Sequence, residues 1–543
     1  MPSLISDNFR IFAAEQFIES LEEPYDTSSS PDENGNYPTE DDNTSAALKY
    51  RSKIYLFVGR PQEWSDVNER NYGNTIDEFN PPDPYDSFND MNEVYDDMIA
   101  VKRVNRSDVS MVIRKRTWKK DTIYDMYRND YTPVKLSSNG QSKLYDSQFY
   151  VMNSNYQVYK CIWNGQSPTY PNGRPSTVEP TGNVSNQIIE SQTDGYRWKY
   201  MYTIGISDYI KFVSSDFIPV KNESEVTAAA AQTAGSIQQI VIIDRGEGLT
   251  PGTYFVPIIG DYTTIAVAQI FVPSTGTNSN KIESVTLESI GAGYTYVGDQ
   301  GNGFNSINLT EVYSNALSAA NRTVADRISG GLGTLAKLEA IISPPGGHGS
   351  DSGIELGAYR VMINKSLEFL DGDGDIPVDA QFRRFGLLAD PTKLDGTDLT
   401  VSTATACYAV KFQDTVTANY SVGEIITQST TGAVGRVIHW DSVTKVLRYY
   451  QNEYTAAMQS GDKKYLKVSF SGANSIAGFD SGTSLVPDTT PTGSGNYFGL
   501  SFTGGYASPE VAKNSGNIIY VENRKAVNRS NDQVEDIKLV VEF

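Results

Sequence analysis

Short runs in which apolar and polar residues alternate place the strongest constraint on the fold of this chain. The clearest run places an aromatic residue at every second position, at Tyr196, Trp198, Tyr200 and Tyr202. Because side chains alternate between the two faces of a strand, this spacing predicts a half-buried strand with one aromatic face. The 45 Gly and 34 Tyr among 543 residues favour strands and turns over long exposed helices. The residues therefore predict a mainly β protein.

Two segments carry helical signals instead. Residues 8–21 have apolar side chains at helical spacing, and Ser6 or Asp7 can cap the first turn. The side chains predicted to form its packed face are Phe9, Phe12, Ala13 and Phe17. A second helix is predicted over Met91–Val101, with Asp90 as its cap.

The charge of the chain argues against partners that carry phosphate. Its formal net charge is −21, so sequence-independent nucleic-acid binding is not expected. One basic cluster interrupts this pattern, formed by Arg114, Lys115, Arg116, Lys119 and Lys120. The cluster is expected to be a solvated face or to pair with nearby carboxylates, and contact with an anion is the alternative.

Two acidic segments, 22–46 and 61–90, predict loops. The first contains eight carboxylates between Glu22 and Asp42 among Pro, Ser, Gly and Asn, with no Lys or Arg in that stretch. Such a composition cannot bury enough apolar area to offset the entropy lost on ordering. We expect this loop to be mobile or to become ordered against a partner.

The two cysteines, Cys161 and Cys407, are too few for a disulfide framework and lack metal-ligand spacing. They are expected to be buried free thiols in a reducing compartment. Residues 1–10 have neither a basic nor an apolar signal region, and no apolar run approaches the ~20 residues of a membrane span. These features predict a soluble protein made in a cytoplasm, with no membrane partner.

An internal repeat suggests that β modules are inserted into a core. Residues 237–250 realign with residues 282–295, each as a strand followed by a G-x-G turn whose glycines permit positive φ. Phosphate binding by these turns is disfavoured because no helix follows them. The predicted organisation is an N-terminal part of the core at 1–225, an inserted module with the repeat at 226–345, a return to the core at 346–398, an inserted small β-barrel-like module at 399–510, and C-terminal core strands at 511–543.

The histidines and one aspartate run are the candidates for chemistry. His348 lies in the Pro- and Gly-rich stretch 342–351, which favours a tight structural corner over a catalytic base. His439 lies on a predicted strand without a Cys or His partner nearby. Asp371, Asp373 and Asp375 resemble the start of a calcium loop, but the EF-hand positions for Gly and Glu are occupied by Ile376 and Phe382. An Asp-Gly turn is favoured there, and a weak cation site is the alternative.

No motif predicts a catalytic, cofactor-binding or metal-binding residue. The chain has neither a G-x-S-x-G elbow nor an H-E-x-x-H helix, and residues 327–337 lack the phosphate-loop spacing. The protein is therefore predicted not to be an enzyme and to need no cofactor.

Six stretches in one order resemble a known family. They are LFVGRPQEWSD at 56–66, MVIRKRTW at 111–118, VYKCIW at 158–163, DGYRWKYMYTI at 194–204, FRRFGLLADP at 382–391 and SGNIIYVENRKAVNRSNDQVEDIKLVVEF at 515–543. The chain resembles the baseplate wedge subunit of T-even-type contractile-tail phages, the gene product eight family. The likeness covers about residues 1–220 and, more loosely, 355–398 and 510–543.

The resemblance implies a fold, partners and a location. It implies a layered antiparallel β-sandwich with a few helices in long loops, a homodimer, contacts with other baseplate wedge proteins, and no catalytic role. It places the protein in the virion, at the tail baseplate, where it would connect neighbouring wedge proteins during assembly and tail contraction. The alternative from the aromatic strands and inserted modules is a receptor-binding adhesin that contacts host surface glycans.

Overall fold

The structure is a computed structural model of the 543-residue chain. It describes residues 4–21, 53–66, 72, 75–167, 169–185, 188–190, 193–230, 234–298, 305–314, 327–328, 331–332, 336–368, 376–452, 467–493, 500–530 and 533–543. The chain divides into two compact units. Unit 1 comprises Met1–Glu15, Ser110–Met362 and Glu542–Phe543, and unit 2 comprises Gln16–Val109 and Ile363–Val541.

The described residues form five α-helices and 25 strands, which confirms the mainly β prediction. The helices are α1 (Asp7–Glu19), α2 (Phe88–Asp97), α3 (Ile206–Phe212), α4 (Ser224–Ala230) and α5 (Ser352–Leu356). The first strands are β1 (Ile54–Gly59), β2 (Met98–Arg103), β3 (Val109–Arg114), β4 (Tyr150–Met152), β5 (Gln157–Asn164), β6 (Ile188–Glu190), β7 (Tyr196–Thr203), β8 (Phe217–Pro219), β9 (Ile237–Asp244), β10 (Gly252–Pro257), β11 (Val267–Val272) and β12 (Ser284–Ser289). The remaining strands are β13 (Lys337–Ile342), β14 (Arg360–Leu367), β15 (Gln381–Ala389), β16 (Thr403–Thr405), β17 (Tyr408–Lys411), β18 (Ile425–Gln428), β19 (Ala433–Asp441), β20 (Val446–Tyr450), β21 (Ile476–Gly478), β22 (Ser484–Leu485), β23 (Tyr506–Ala507), β24 (Asn517–Asn528) and β25 (Glu535–Glu542).

Helix α1 forms where the sequence predicts it but buries a different face. The hydroxyl of Ser6 accepts the backbone N–H of Phe9 at 3.3 Å, as expected of a cap. The buried side chains are Ile11, Ala14, Ile18 and, after the helix, Leu21. Phe9 and Phe12 are 61% and 56% exposed, so the predicted packed face is wrong. The pattern misleads because apolar residues occupy both sides of this helix.

Helix α2 is shorter and begins earlier than the sequence predicts. Its cap is Ser87, whose side chain accepts the backbone N–H of Asp90 at 3.1 Å, so Asp90 lies in the first turn. The helix ends at Asp97, and residues 98–103 form β2 instead. The predicted helix end at Val101 is wrong because Val101 pairs with Phe57 of β1 on one side and Ala404 of β16 on the other.

In unit 1, the strands of one four-stranded sheet run in the order β4-β5-β7-β6. The aromatic strand β7 is part of this sheet, and Tyr196 stacks on Trp198 at 5.3 Å between ring centroids. The prediction of a half-buried strand is wrong, because Lys199 and Met201 on the opposite face are also buried. An aromatic row inside a core is therefore a packing element of the sheet.

The repeat region of unit 1 has a hydrophobic core of its own, drawn from residues between Ile237 and Ile342. All four repeat glycines have positive φ, as predicted, with values of 69°, 66°, 61° and 78° at Gly246, Gly248, Gly291 and Gly293. The two repeat strands nevertheless pair differently, β9 with β13 and β12 with β11. The module boundaries stay a prediction.

Unit 2 contains a five-stranded antiparallel sheet in the order β16-β2-β1-β15-β24. All six residues of β1 are buried. Gly386 of β15 lies opposite Phe57 of β1, and a Cβ atom there would lie 2.2 Å from the carbonyl oxygen of Tyr520 in β24. Only glycine fits between these strands. Within the described residues β24 forms one edge of this sheet.

A second sheet of unit 2 has seven strands in the order β22-β21-β18-β19-β20-β17-β23. It packs its own cluster of buried residues between Val410 and Ile476. Loop 22–46 and Asp371, Asp373 and Asp375 lie outside the described residues.

Candidate interaction groove

A groove of about 440 Å³ follows part of β24 in unit 2. We call it the β24 groove, and its lining residues are Tyr72, Asp83, Pro84, Tyr85, Asp86, Asp90, Met91, Val94, Arg384, Ile518, Ile519, Tyr520, Val521 and Asn523. One wall is therefore the edge strand of the five-stranded sheet, and the other is the segment that leads into α2. Edge strands present backbone N–H and C=O groups to which another chain can add a strand.

The rim of the β24 groove combines negative charge with exposed apolar side chains. Asp83, Asp86 and Asp90 line it. Tyr85 is 76% exposed, and Ile519 of β24 is 47% exposed. Large exposed apolar side chains beside several negative charges favour a partner with apolar and basic residues.

Beneath the groove lie four buried and paired charges, which together with the partly buried Asn523 we call the arginine cluster: Arg60, Glu93, Asp97 and Arg384. Arg384 donates to the Asp97 carboxylate at 2.8 Å and to the Asn523 side-chain oxygen at 3.0 Å. Arg60 donates to Glu93 at 3.4 Å. The four charged side chains are at most 4% exposed, so each charge depends on its partner for stabilisation.

Two aromatic residues connect this cluster to the surrounding chain. The indole N–H of Trp64 donates to the backbone carbonyl of Arg524 at 2.8 Å, and the Arg384 guanidinium lies 5.6 Å from the Trp64 ring centroid. The Tyr72 hydroxyl donates to Glu93 at 2.6 Å. Burial raises the pKa of Tyr72, and the neighbouring Glu93 raises it further, so the hydroxyl stays a donor near neutral pH.

Three of the stretches that carry the family resemblance meet at the arginine cluster. Arg60 and Trp64 come from residues 56–66, Arg384 from 382–391, and Asn523 from 515–543. Sequence reasoning missed this arrangement, since Arg384 and Asp97 are 287 residues apart. The available signal was an arginine pair inside the apolar run at 382–388, where charges are expected only if they are paired.

The His348 corner, residues 344–351, is a tight turn as predicted. Gly346, Gly347 and Gly349 all have positive φ. The Glu355 carboxylate accepts the backbone N–H of Gly349 at 2.7 Å and ion-pairs with Lys160. His348 packs edge-on against Tyr127 at 4.9 Å between ring centroids.

The nearby carboxylates have other partners. Asp351, three residues after His348, caps α5 by accepting the N–H of Ile354 at 3.1 Å. Glu355 is used by Lys160 and by the corner backbone. Backbone hydrogen bonds and one buried ion pair therefore fix the path of the chain at this corner. The absence of a catalytic residue stays a prediction.

The other sequence candidates are separate from the groove. His439 lies in β19, and burial together with Arg448 lowers its pKa. Cys161 and Cys407 are buried free thiols, as predicted. Within the described ranges, no group of three or more His, Cys, Asp or Glu side chains could hold a metal ion. No helix in the described part of the chain has the length and apolar composition needed to cross a membrane.

The predicted basic cluster contacts backbone oxygens. Lys115 donates to the carbonyl of Ser214 at 3.3 Å, and Arg116 donates to the carbonyls of Ser147 and Asp146. The Arg116 guanidinium also lies 4.8 Å from the Tyr150 ring centroid. Arg114, Lys119 and Lys120 are exposed, in line with the solvated face that was one of the two expectations for this cluster.

Comparison with known proteins matches residues 43–173 to the family Phage-Gp8, described as bacteriophage T4, Gp8. This match bears out the predicted resemblance to that family over residues 43–173. The Gp8 segment runs from before β1 to beyond β5 and contributes to both units. It supports a structural role in a phage tail baseplate wedge. No curated protein matches the chain.

Proposed function

We propose that this chain is a structural subunit of a contractile-tail baseplate wedge. It connects neighbouring wedge proteins during baseplate assembly and tail contraction, acts without catalysis, and enters the virion after synthesis in the host cytoplasm. The observation that carries this proposal is the Gp8 match over residues 43–173. A connector that transmits force needs well-packed sheets, and the arginine cluster and the fully buried β1 supply such packing in unit 2.

The β24 groove is the surface that best fits a neighbouring wedge protein. An extended segment would add a strand to β24 through backbone hydrogen bonds. Its basic side chains would face Asp83, Asp86 and Asp90, and its apolar side chains would contact Tyr85 and Ile519. The occupant is therefore an extended segment rich in Lys or Arg.

We also propose that the chain forms a homodimer. The purified full-length protein should then have a solution mass near twice 59.7 kDa by light scattering. The mass should not change on dilution through the micromolar range if the interface has the area of a stable dimer. A stable trimer would contradict the homodimer and favour the adhesin alternative, and a monomer would contradict self-association of the isolated chain.

A further inference from the structure

A second cleft, of about 310 Å³, lies in unit 1 beside the His348 corner. We call it the Lys199 cleft, and it is lined by Ile188, Lys199, Ala229, Ala230, Gln238, Ile290 and His348. Four of these side chains are apolar and three are polar. This volume and composition are those of the smaller ligand sites in proteins, where a few polar groups orient a mostly apolar ligand.

The Lys199 cleft contains a buried positive charge that has no carboxylate partner among the described residues. Lys199 is 5% exposed, and its ammonium donates to the backbone carbonyl of Ser185. The neighbouring Lys160 is paired with Glu355, whereas no described carboxylate forms an ion pair with Lys199. Burial and then the charge of Lys160 lower the pKa of Lys199 to about 8, which leaves it mostly protonated at pH 7.

His348 supplies a second, independent observation at the same cleft. Its side chain is 4% exposed, and its Nδ1 makes no hydrogen bond within the described residues. Buried polar atoms of this kind are rare because each lost hydrogen bond destabilises the fold. Burial and the charges of Lys160 and Lys199 lower the pKa of His348, so its ring is neutral at pH 7 and adds no second positive charge to the cleft.

We propose that the Lys199 cleft binds a carboxylate on a short apolar stem. The carboxylate would pair with the Lys199 ammonium and reach the His348 ring, while the stem would lie against Ala229, Ala230 and Ile290. One unmatched positive charge favours a monoanion over divalent phosphate, and the apolar lining favours an organic acid. This site is independent of the wedge role.

The chain contains two histidines, so the NMR signals of His348 can be followed separately from those of His439. In protein labelled with ¹³C-histidine, butyrate should shift the His348 imidazole signals saturably, with a midpoint on the order of 1 mM for so small a ligand. Butyramide has the same size without the charge and should shift them at least tenfold less at equal concentration. His439 lies in unit 2 and should not respond to either compound.

A matched pair of variants assigns the binding to the charge of Lys199. Lys199→Met keeps the side-chain length and removes an unmatched buried charge, so it should fold and lose at least tenfold in butyrate affinity. Lys337→Met removes an exposed lysine of the same unit and should bind as the wild type does. The proposal is overturned if butyramide shifts His348 as strongly as butyrate, if neither does at about 50 mM, or if Lys199→Met still binds.

Two further probes identify the source of the carboxylate. The peptide acetyl-Ala-Glu-Ala-amide presents the same stem and carboxylate on a protein side chain. Tighter binding of the peptide than of butyrate assigns the site to a glutamate of a partner protein, and tighter binding of butyrate assigns it to a free acid. Inorganic phosphate should bind more weakly than both, and stronger binding of phosphate would overturn the carboxylate assignment.

Discussion

Replacing Glu355 with Ala is expected to lower the free energy of unfolding by about 3–5 kcal/mol. Lys160 and Glu355 are 0% and 1% exposed, so the variant leaves the Lys160 ammonium buried and unpaired. It also removes the acceptor for the backbone N–H of Gly349 in the His348 corner. Denaturant titration of the purified protein, followed by circular dichroism, measures the change.

The double variant Lys160→Met/Glu355→Gln separates the two contributions of Glu355. It removes both charges, while the glutamine side-chain oxygen can still accept the Gly349 N–H. Its stability should therefore return close to that of the wild type. As a surface control, Glu247→Gln breaks the exposed pair with Lys281 and should change stability by less than about 1 kcal/mol. If Glu355→Ala is as stable as this surface control, the buried pair does not hold the corner.

The second large effect is expected at the arginine cluster. Arg384→Met leaves Asp97, which is 1% exposed, without its 2.8 Å guanidinium partner and should destabilise the protein by about 3–5 kcal/mol. Methionine nearly fills the space of the arginine stem, so lost charge pairing accounts for most of the change. The same denaturant titration measures it.

Arg524→Met is the matched control for this variant. The Arg524 side chain is 55% exposed and pairs with Glu522 at the surface, so its loss should change stability by less than about 1 kcal/mol. The backbone carbonyl that accepts the Trp64 indole is unchanged by this substitution. Equal stabilities of Arg384→Met and Arg524→Met would contradict a stabilising role for the cluster.

Local patterns were sufficient for the parts of the fold that depend on local geometry. The repeat strands β9 and β12 appear where the repeat predicts them, and the repeat glycines adopt positive φ. The start of α2 was misplaced because both Ser87 and Asp90 are good capping residues, and only the structure shows which hydroxyl or carboxylate accepts the first free N–H.

These local patterns did not predict which residues distant in the sequence contact one another. Periodicity shows that α1 is a helix, but both of its sides are apolar, and what packs against it decides which side is buried. The pairs Lys160–Glu355 and Arg384–Asp97 join residues that are 195 and 287 positions apart. Their partners are set by the topology of the sheets, which a single sequence does not specify.

Electron cryomicroscopy of the tail baseplate of the virus that encodes this chain tests the central claim most directly. We expect density for the chain within each wedge, with an extended basic segment of a neighbouring protein added as a strand to β24. A baseplate that lacks the chain would contradict the wedge assignment. A baseplate that contains the chain but leaves the β24 groove without a bound segment would contradict the proposed connection.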